Sequence, residues 1–70
     1  MSIEVFKTNV KSRAAAEQLA ARLKLLFPDS RVNFDLEDCD RVLRIEGIDI
    51  CCEKTISLLK AGGYDCGVLS

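Results

Sequence analysis

Four cysteines, Cys39, Cys51, Cys52 and Cys66, carry most of the reactive chemistry available to this chain. A thiolate is both a nucleophile and a ligand for soft cations. Cys51 and Cys52 are adjacent, at a point where the pattern below starts a helix. A helix start can activate a thiol through its macrodipole and free N–H groups, which makes Cys51 a candidate reactive thiolate, while Asp49 and Glu53 act against that effect. A vicinal dithiol offers Cu(I), Zn(II) or arsenite two sulfurs but no third ligand. The competing reading makes Cys51 a helix-start residue and Cys52 a small buried hydrophobe. Cys39 sits in the acidic run Glu37-Asp38-Cys39-Asp40, which lacks the glycine and terminal bidentate glutamate of a calcium loop and reads as a solvated turn. Cys66 alternates with Val68 on an inward face and reads as packing.

A second cluster, Lys11, Ser12 and Arg13, places two cations and a capping hydroxyl where another helix begins. A helix N-terminus attracts anions, so these residues are a candidate anion or acyl-phosphate site, set against ordinary capping by Ser12. The chain has no histidine, and with it loses the commonest general base and the commonest neutral metal ligand. No catalytic dyad or nucleotide loop is present, so the expectation is that the protein is not an enzyme and uses no cofactor.

Composition narrows the remaining classes. Seventy residues, 49% hydrophobic and 30% charged with both signs mixed, suit one folded domain over residues 1–70. A single core of that size supplies only about 3–5 kcal/mol without staples. A net charge of -1 gives no basic field for phosphates, and only Phe6, Phe27, Phe34 and Tyr64 offer stacking faces, so no nucleic-acid partner is expected. The start carries no basic-then-apolar export signal and no apolar run approaches a membrane span, so a cytoplasmic protein without a membrane partner is expected. Reduced thiols fit that compartment, and adjacent Cys51 and Cys52 can close only a strained ring.

The elements that would position these residues follow from periodicity. Ile3 to Thr8 alternates as a strand, with Ile3 and Val5 on one face and Glu4, Phe6 and Thr8 on the other. Arg13 to Phe27 is rich in strong helix formers, with Ala15, Leu19, Leu23 and Leu26 as its apolar stripe, Ser12 as its cap and Pro28-Asp29 as its end. Arg31 to Leu36 turns Val32, Phe34 and Leu36 inward, and Arg41 to Glu46 turns Leu43 and Ile45 inward. Pairing Phe34 with Leu43 and Val32 with Ile45 makes a hairpin with Arg31 opposite Glu46. A second helix starts near Cys51 or Cys52, with Cys52, Ile56 and Leu59 on one side, and stops at Gly62-Gly63. Tyr64 to Leu69 is a last short strand.

Right-handed crossovers and one apolar face per sheet turn this order into an α+β, ferredoxin-like βαββαβ plait. Its antiparallel sheet has four strands in the order 4-1-3-2, with both helices on one face. The loop after the first strand, the Cys39 hairpin and the Gly62-Gly63-Tyr64 turn share one end; Pro28 and Cys51-Cys52 share the other. Cys39 and Cys66 belong near opposite edges, a poor geometry for a shared metal or a disulfide. The uncovered face is expected to carry Phe6 opposite Val42, with Leu69 on the neighbouring edge strand. That patch is a candidate surface for a protein partner or a second copy of the chain.

Over essentially its whole length the chain resembles the heavy-metal-associated, copper-chaperone-like domains. The most specific piece is Leu59-Lys60-Ala61-Gly62-Gly63-Tyr64-Asp65-Cys66-Gly67-Val68-Leu69, similar to that family's closing helix, Gly-Tyr turn and last strand. The family grips a soft cation with a Met-x-Cys-x-x-Cys loop, and alignment places Val10, Ser12 and Ala15 at its Met and two Cys. A hydroxyl and a methyl group cannot replace two thiolates. The resemblance therefore implies the fold, and a degenerate member without the metal site, in which metal binding is not expected. The function expected is a non-enzymatic domain acting through protein contacts; the alternative is a soft-metal binder using Cys39, Cys51 or Cys52.

Overall fold

The computed structural model describes residues 2–69. Its elements are β1 (Ser2–Thr8), α1 (Arg13–Leu26), β2 (Arg31–Asp35), β3 (Val42–Gly47), α2 (Cys52–Ala61) and β4 (Cys66–Val68). The sheet is antiparallel throughout in the order β2-β3-β1-β4, the ferredoxin-like arrangement expected from the order of elements. The hairpin register is as anticipated, with Arg31 opposite Glu46, Val32 opposite Ile45 and Phe34 opposite Leu43. Among the described residues no helix is long and apolar enough to cross a membrane.

Local chemistry sets the helix ends. The Ser12 hydroxyl accepts the Ala15 N–H at 3.3 Å, satisfying one of the orphan donors of α1. At the far end the Phe27 N–H returns to the Leu23 carbonyl, and Ser30 turns the chain by donating its hydroxyl to the Phe27 carbonyl at 2.7 Å. Ser30 is buried, and Gly47 is pressed against it: a Cβ on Gly47 would lie 3.1 Å from the Ser30 Cβ. Only a glycine lets the end of β3 approach that turn without displacement. Gly63 takes φ +90 after α2, and the Tyr64 N–H closes on the Leu59 carbonyl at 3.0 Å.

The core joins Phe6, Val10, Ala16, Leu19, Leu23, Leu36, Leu43, Ile45, Leu59 and Cys66. Two sequence expectations change here. The buried stripe of α1 is Ala16, Leu19 and Leu23; Ala15 is half-buried and Leu26 is exposed, because the helix is rotated to set Ala16 against the sheet. On α2 the most buried positions are Thr55 and Leu59, with Cys52 and Ile56 only half-buried beside them. Thr55 is admitted because its hydroxyl donates to the Cys51 carbonyl at 3.0 Å.

The larger correction concerns β1. Phe6 does not lie on the uncovered face opposite Val42; it is fully buried and pairs with Leu43 on one side and Val68 on the other. Directly opposed residues in antiparallel strands share a face. Leu43 and Ile45 face the helices, so register carries Phe6 inward with Leu43 and Glu4 inward with Ile45. Ile3, Val5 and Lys7 are left outside. Burying Phe6 rather than Val5 under the helices favours the fold because the larger side chain removes more apolar area from water, about 1.5–3 kcal/mol for a large residue fully buried.

Candidate functional site

The cysteines are all free: Cys39 is exposed, the adjacent Cys51 and Cys52 are half-buried, and Cys66 is buried. Cys39 is exposed at the tip of the β2-β3 hairpin. This turn is held by its own side chains: the Asp35 carboxylate accepts the Glu37 N–H at 3.2 Å, and the Asp38 carboxylate accepts the Asp40 N–H at 2.9 Å. Arg41 closes it in the left-handed region at φ 46, its guanidinium donating to the Leu36 carbonyl. In this turn the ligand atoms of Asp38, Cys39 and Asp40 come within 4.8 Å of one another, all on exposed residues.

Cys51 and Cys52 stand at the opposite end. Cys51 is the N-cap of α2, but its side chain makes no capping hydrogen bond. Cys52 is half-buried and its thiol donates to the Glu4 carboxylate at 3.5 Å, an interaction possible only because β1 turns Glu4 inward. Burial pushes the Cys52 thiol pKa up, and the hydrogen bond and negative charge of Glu4 push it further the same way. This is the reverse of an activated thiol. Cys66 lies within the core, where burial raises its pKa to about 11 against a smaller opposing pull from Lys60. The sheet order sets the Cys39 hairpin and Cys66 at opposite edges.

At the end where β1 runs into α1, the chain is locked by polar bonds. The Thr8 N–H donates to the Asp40 carbonyl at 3.0 Å, and the Thr8 hydroxyl donates to the Arg41 carbonyl at 2.6 Å. The Asn9 amide accepts the Asp65 N–H at 2.8 Å and donates to the Asp65 carboxylate at 3.4 Å. Val10 is fully buried and Ser12 is used as a cap. Lys11, Ser12 and Arg13 are all exposed. Arg13 lines a small cleft with Glu17, Ala20 and the β2 residues Val32, Asn33 and Phe34, which takes it to the sheet edge.

The uncovered sheet face carries Ile3, Val5 and Lys7 from β1 and Val42, Arg44 and Glu46 from β3, in the register Ile3–Glu46 and Val5–Arg44. Leu69 joins them through its N–H to the Val5 carbonyl at 2.8 Å. Of the three residues expected to form this patch, Phe6 belongs to the core, Val42 is 7% exposed and Leu69 is half-buried. Ile3, 55% exposed, is its main accessible apolar member.

A second group of exposed apolar residues lies elsewhere and was missed in sequence. Leu26 lines a cleft with Cys51, Lys54, Ser57 and Leu58, and a neighbouring one with Pro28, Asp29, Ile48 and Asp49. Leu25, Leu26 and Ile48 are 82%, 38% and 68% exposed. The available signal was Leu25, which falls off every helical stripe that α1 can turn to the sheet, and Ile48, which follows Gly47 beyond the last alternating position of β3.

Comparison with protein-family models, with curated proteins and with solved structures gave no match. The βαββαβ topology is consistent with that of heavy-metal-associated domains.

Proposed function

We propose that this ferredoxin-like domain is a non-enzymatic module that acts through protein contacts. The observation that carries the reading is the apolar end of the molecule, where Leu26 lines two clefts, one of them shared with exposed Ile48. Clustered exposed apolar side chains mark interaction sites more often than isolated ones do. The residues with chemistry do not converge: Cys52 and Cys66 are held as thiols, Cys39 and Arg13 serve different regions, and Cys51 is the one cysteine that lines the Leu26 cleft. The test compares proteins crosslinked to the wild type in cells with those crosslinked to a Leu26→Ser/Ile48→Ser variant. Both positions are exposed, so the fold should be retained, and specific adducts should fall to background. Adducts that persist unchanged would remove this reading.

The second reading, a soft-metal binder, is favoured by the approach of Asp38, Cys39 and Asp40. These offer one sulfur and carboxylate oxygens, a mixed set that suits Zn(II) better than Cu(I). Titration with Zn(II) and a competing chelator decides it. Binding abolished by Cys39→Ser would establish the metal reading, and affinity no better than that of a free thiol would eliminate it.

A further inference from the structure

The two edges of the sheet are built differently. β4 is three residues long, and such a short edge is protected from pairing with other chains. β2 runs for five residues, Arg31-Val32-Asn33-Phe34-Asp35, and has no proline, lysine or bulge to blunt it. The direction of its backbone groups follows from register. Leu69 bonds the Val5 carbonyl, so odd positions of β1 face β4 and even positions face β3. Carried across β3, this aims the N–H and C=O groups of Arg31, Asn33 and Asp35 at β3 and those of Val32 and Phe34 outward along the open edge.

That edge is self-complementary. Rotating a copy of β2 by half a turn about Asn33 gives an antiparallel pair in which Val32 opposes Phe34 of the copy. These are the residues whose backbone groups are free to exchange hydrogen bonds. In the same register Arg31 opposes Asp35 of the copy on the outer face, twice by symmetry, and Asn33 meets its own counterpart at the axis. A half-turn perpendicular to the sheet keeps both pairs of helices on one side, so α1 must face its own copy across the axis.

The helix meets that requirement. A cleft of about 570 Å³ beside the edge is lined by Glu17, Ala20, Ala21 and Lys24 of α1 together with Arg31, Val32 and Asn33. Ala20 and Ala21 stand midway between Glu17 and Lys24, so a two-fold axis through the alanines sets Glu17 against Lys24 of the copy in both directions. The small side chains leave room for the close approach. Lys24 also donates to the Ser30 carbonyl, and its ammonium keeps further donors for a carboxylate. The charge pattern of the strand and that of the helix are thus each symmetric about a point in the same cleft.

We propose that the β2 edge is a homodimerisation surface, in which two copies of this chain join antiparallel through Val32 and Phe34 into one continuous sheet. The interface is isologous, each residue contacting the symmetry counterpart of its own partner. It is independent of the apolar end proposed above, since Leu26 and Ile48 do not line this cleft.

The test is sedimentation equilibrium at millimolar concentration with charge reversals on the exposed helix positions. Wild type should dimerise, and Glu17→Lys and Lys24→Glu should each weaken self-association about tenfold by replacing two attractions with two repulsions. Mixing the two single variants should restore association, because every facing pair is then opposite in sign. In exchange experiments the Val32 and Phe34 amides should gain protection as protein concentration rises. A monomeric wild type, a dimer indifferent to both reversals, a mixture that fails to associate, or protection of those amides that does not change with concentration would each overturn the proposal.

Discussion

Val5 and Phe6 are neighbours on the central strand and have opposite surroundings. Phe6 is fully buried beneath the helices with Leu43, Ile45 and Leu59, whereas Val5 lies half-buried on the uncovered face between Arg44 and Leu69. Cysteines show the same contrast, Cys66 sealed under the helices and Cys39 exposed at the hairpin tip. The difference teaches that stability resides on one face of the sheet, while the other face, the edges and the loop ends contribute little to it.

Four measurements sharpen or break that contrast. Phe6→Ala should cost about 3–5 kcal/mol in urea unfolding, enough to approach the whole stability of a domain this small. A loss near that of a surface substitution would mean that the assigned face of β1 is wrong.

The alkaline limb should report Cys66. Its folded pKa of about 11 lies above the value of 9.0 for a free thiol, so the folded state binds its proton more tightly than the unfolded state does. The resulting stability is complete below pH 9.0 and is lost as pH climbs through about 11. The loss from this group amounts to about 2–3 kcal/mol across that window, and Cys66→Ala should flatten it. Under a disulfide reagent at neutral pH, Cys39 should react first and Cys66 only on unfolding; equal rates would contradict the burial described.

The smallest effect belongs to the outer face. Ile3→Ser should change stability by no more than about 0.5 kcal/mol, because the side chain is already largely in water. A loss several times larger, measured by the same urea titration, would show that the outer face is covered in solution.

Much of the architecture was legible in the residues. The alternation of β2 and β3 specified their register, since each has a single apolar face and a slip by one residue would invert it. Ser12, Pro28 and Gly62-Gly63 marked the helix ends through capping and backbone chemistry that needs no tertiary partner. β1 was different: Ile3 and Val5 compete with Phe6 for the interior, and alternation alone cannot rank them.

The candidate site was less legible for the same reason. Cys39 was placed correctly in an exposed acidic turn, but its approach to Asp38 and Asp40 depends on the turn closed by Arg41. The hydrogen bond from Cys52 to Glu4 spans 48 positions in the chain and exists only because β1 faces the way it does. The apolar end went unseen because α1 settled on Ala16 rather than Ala15, which swung Leu26 out of the core.

By itself, then, the amino-acid order determined the succession of elements, their caps and the hairpin, all of which rest on short-range periodicity and local backbone preference. Only the assembled sheet decided which face of β1 and which side of α1 would be buried. Those choices depend on the total apolar area that strands and helices remove from water together, a quantity no single segment carries.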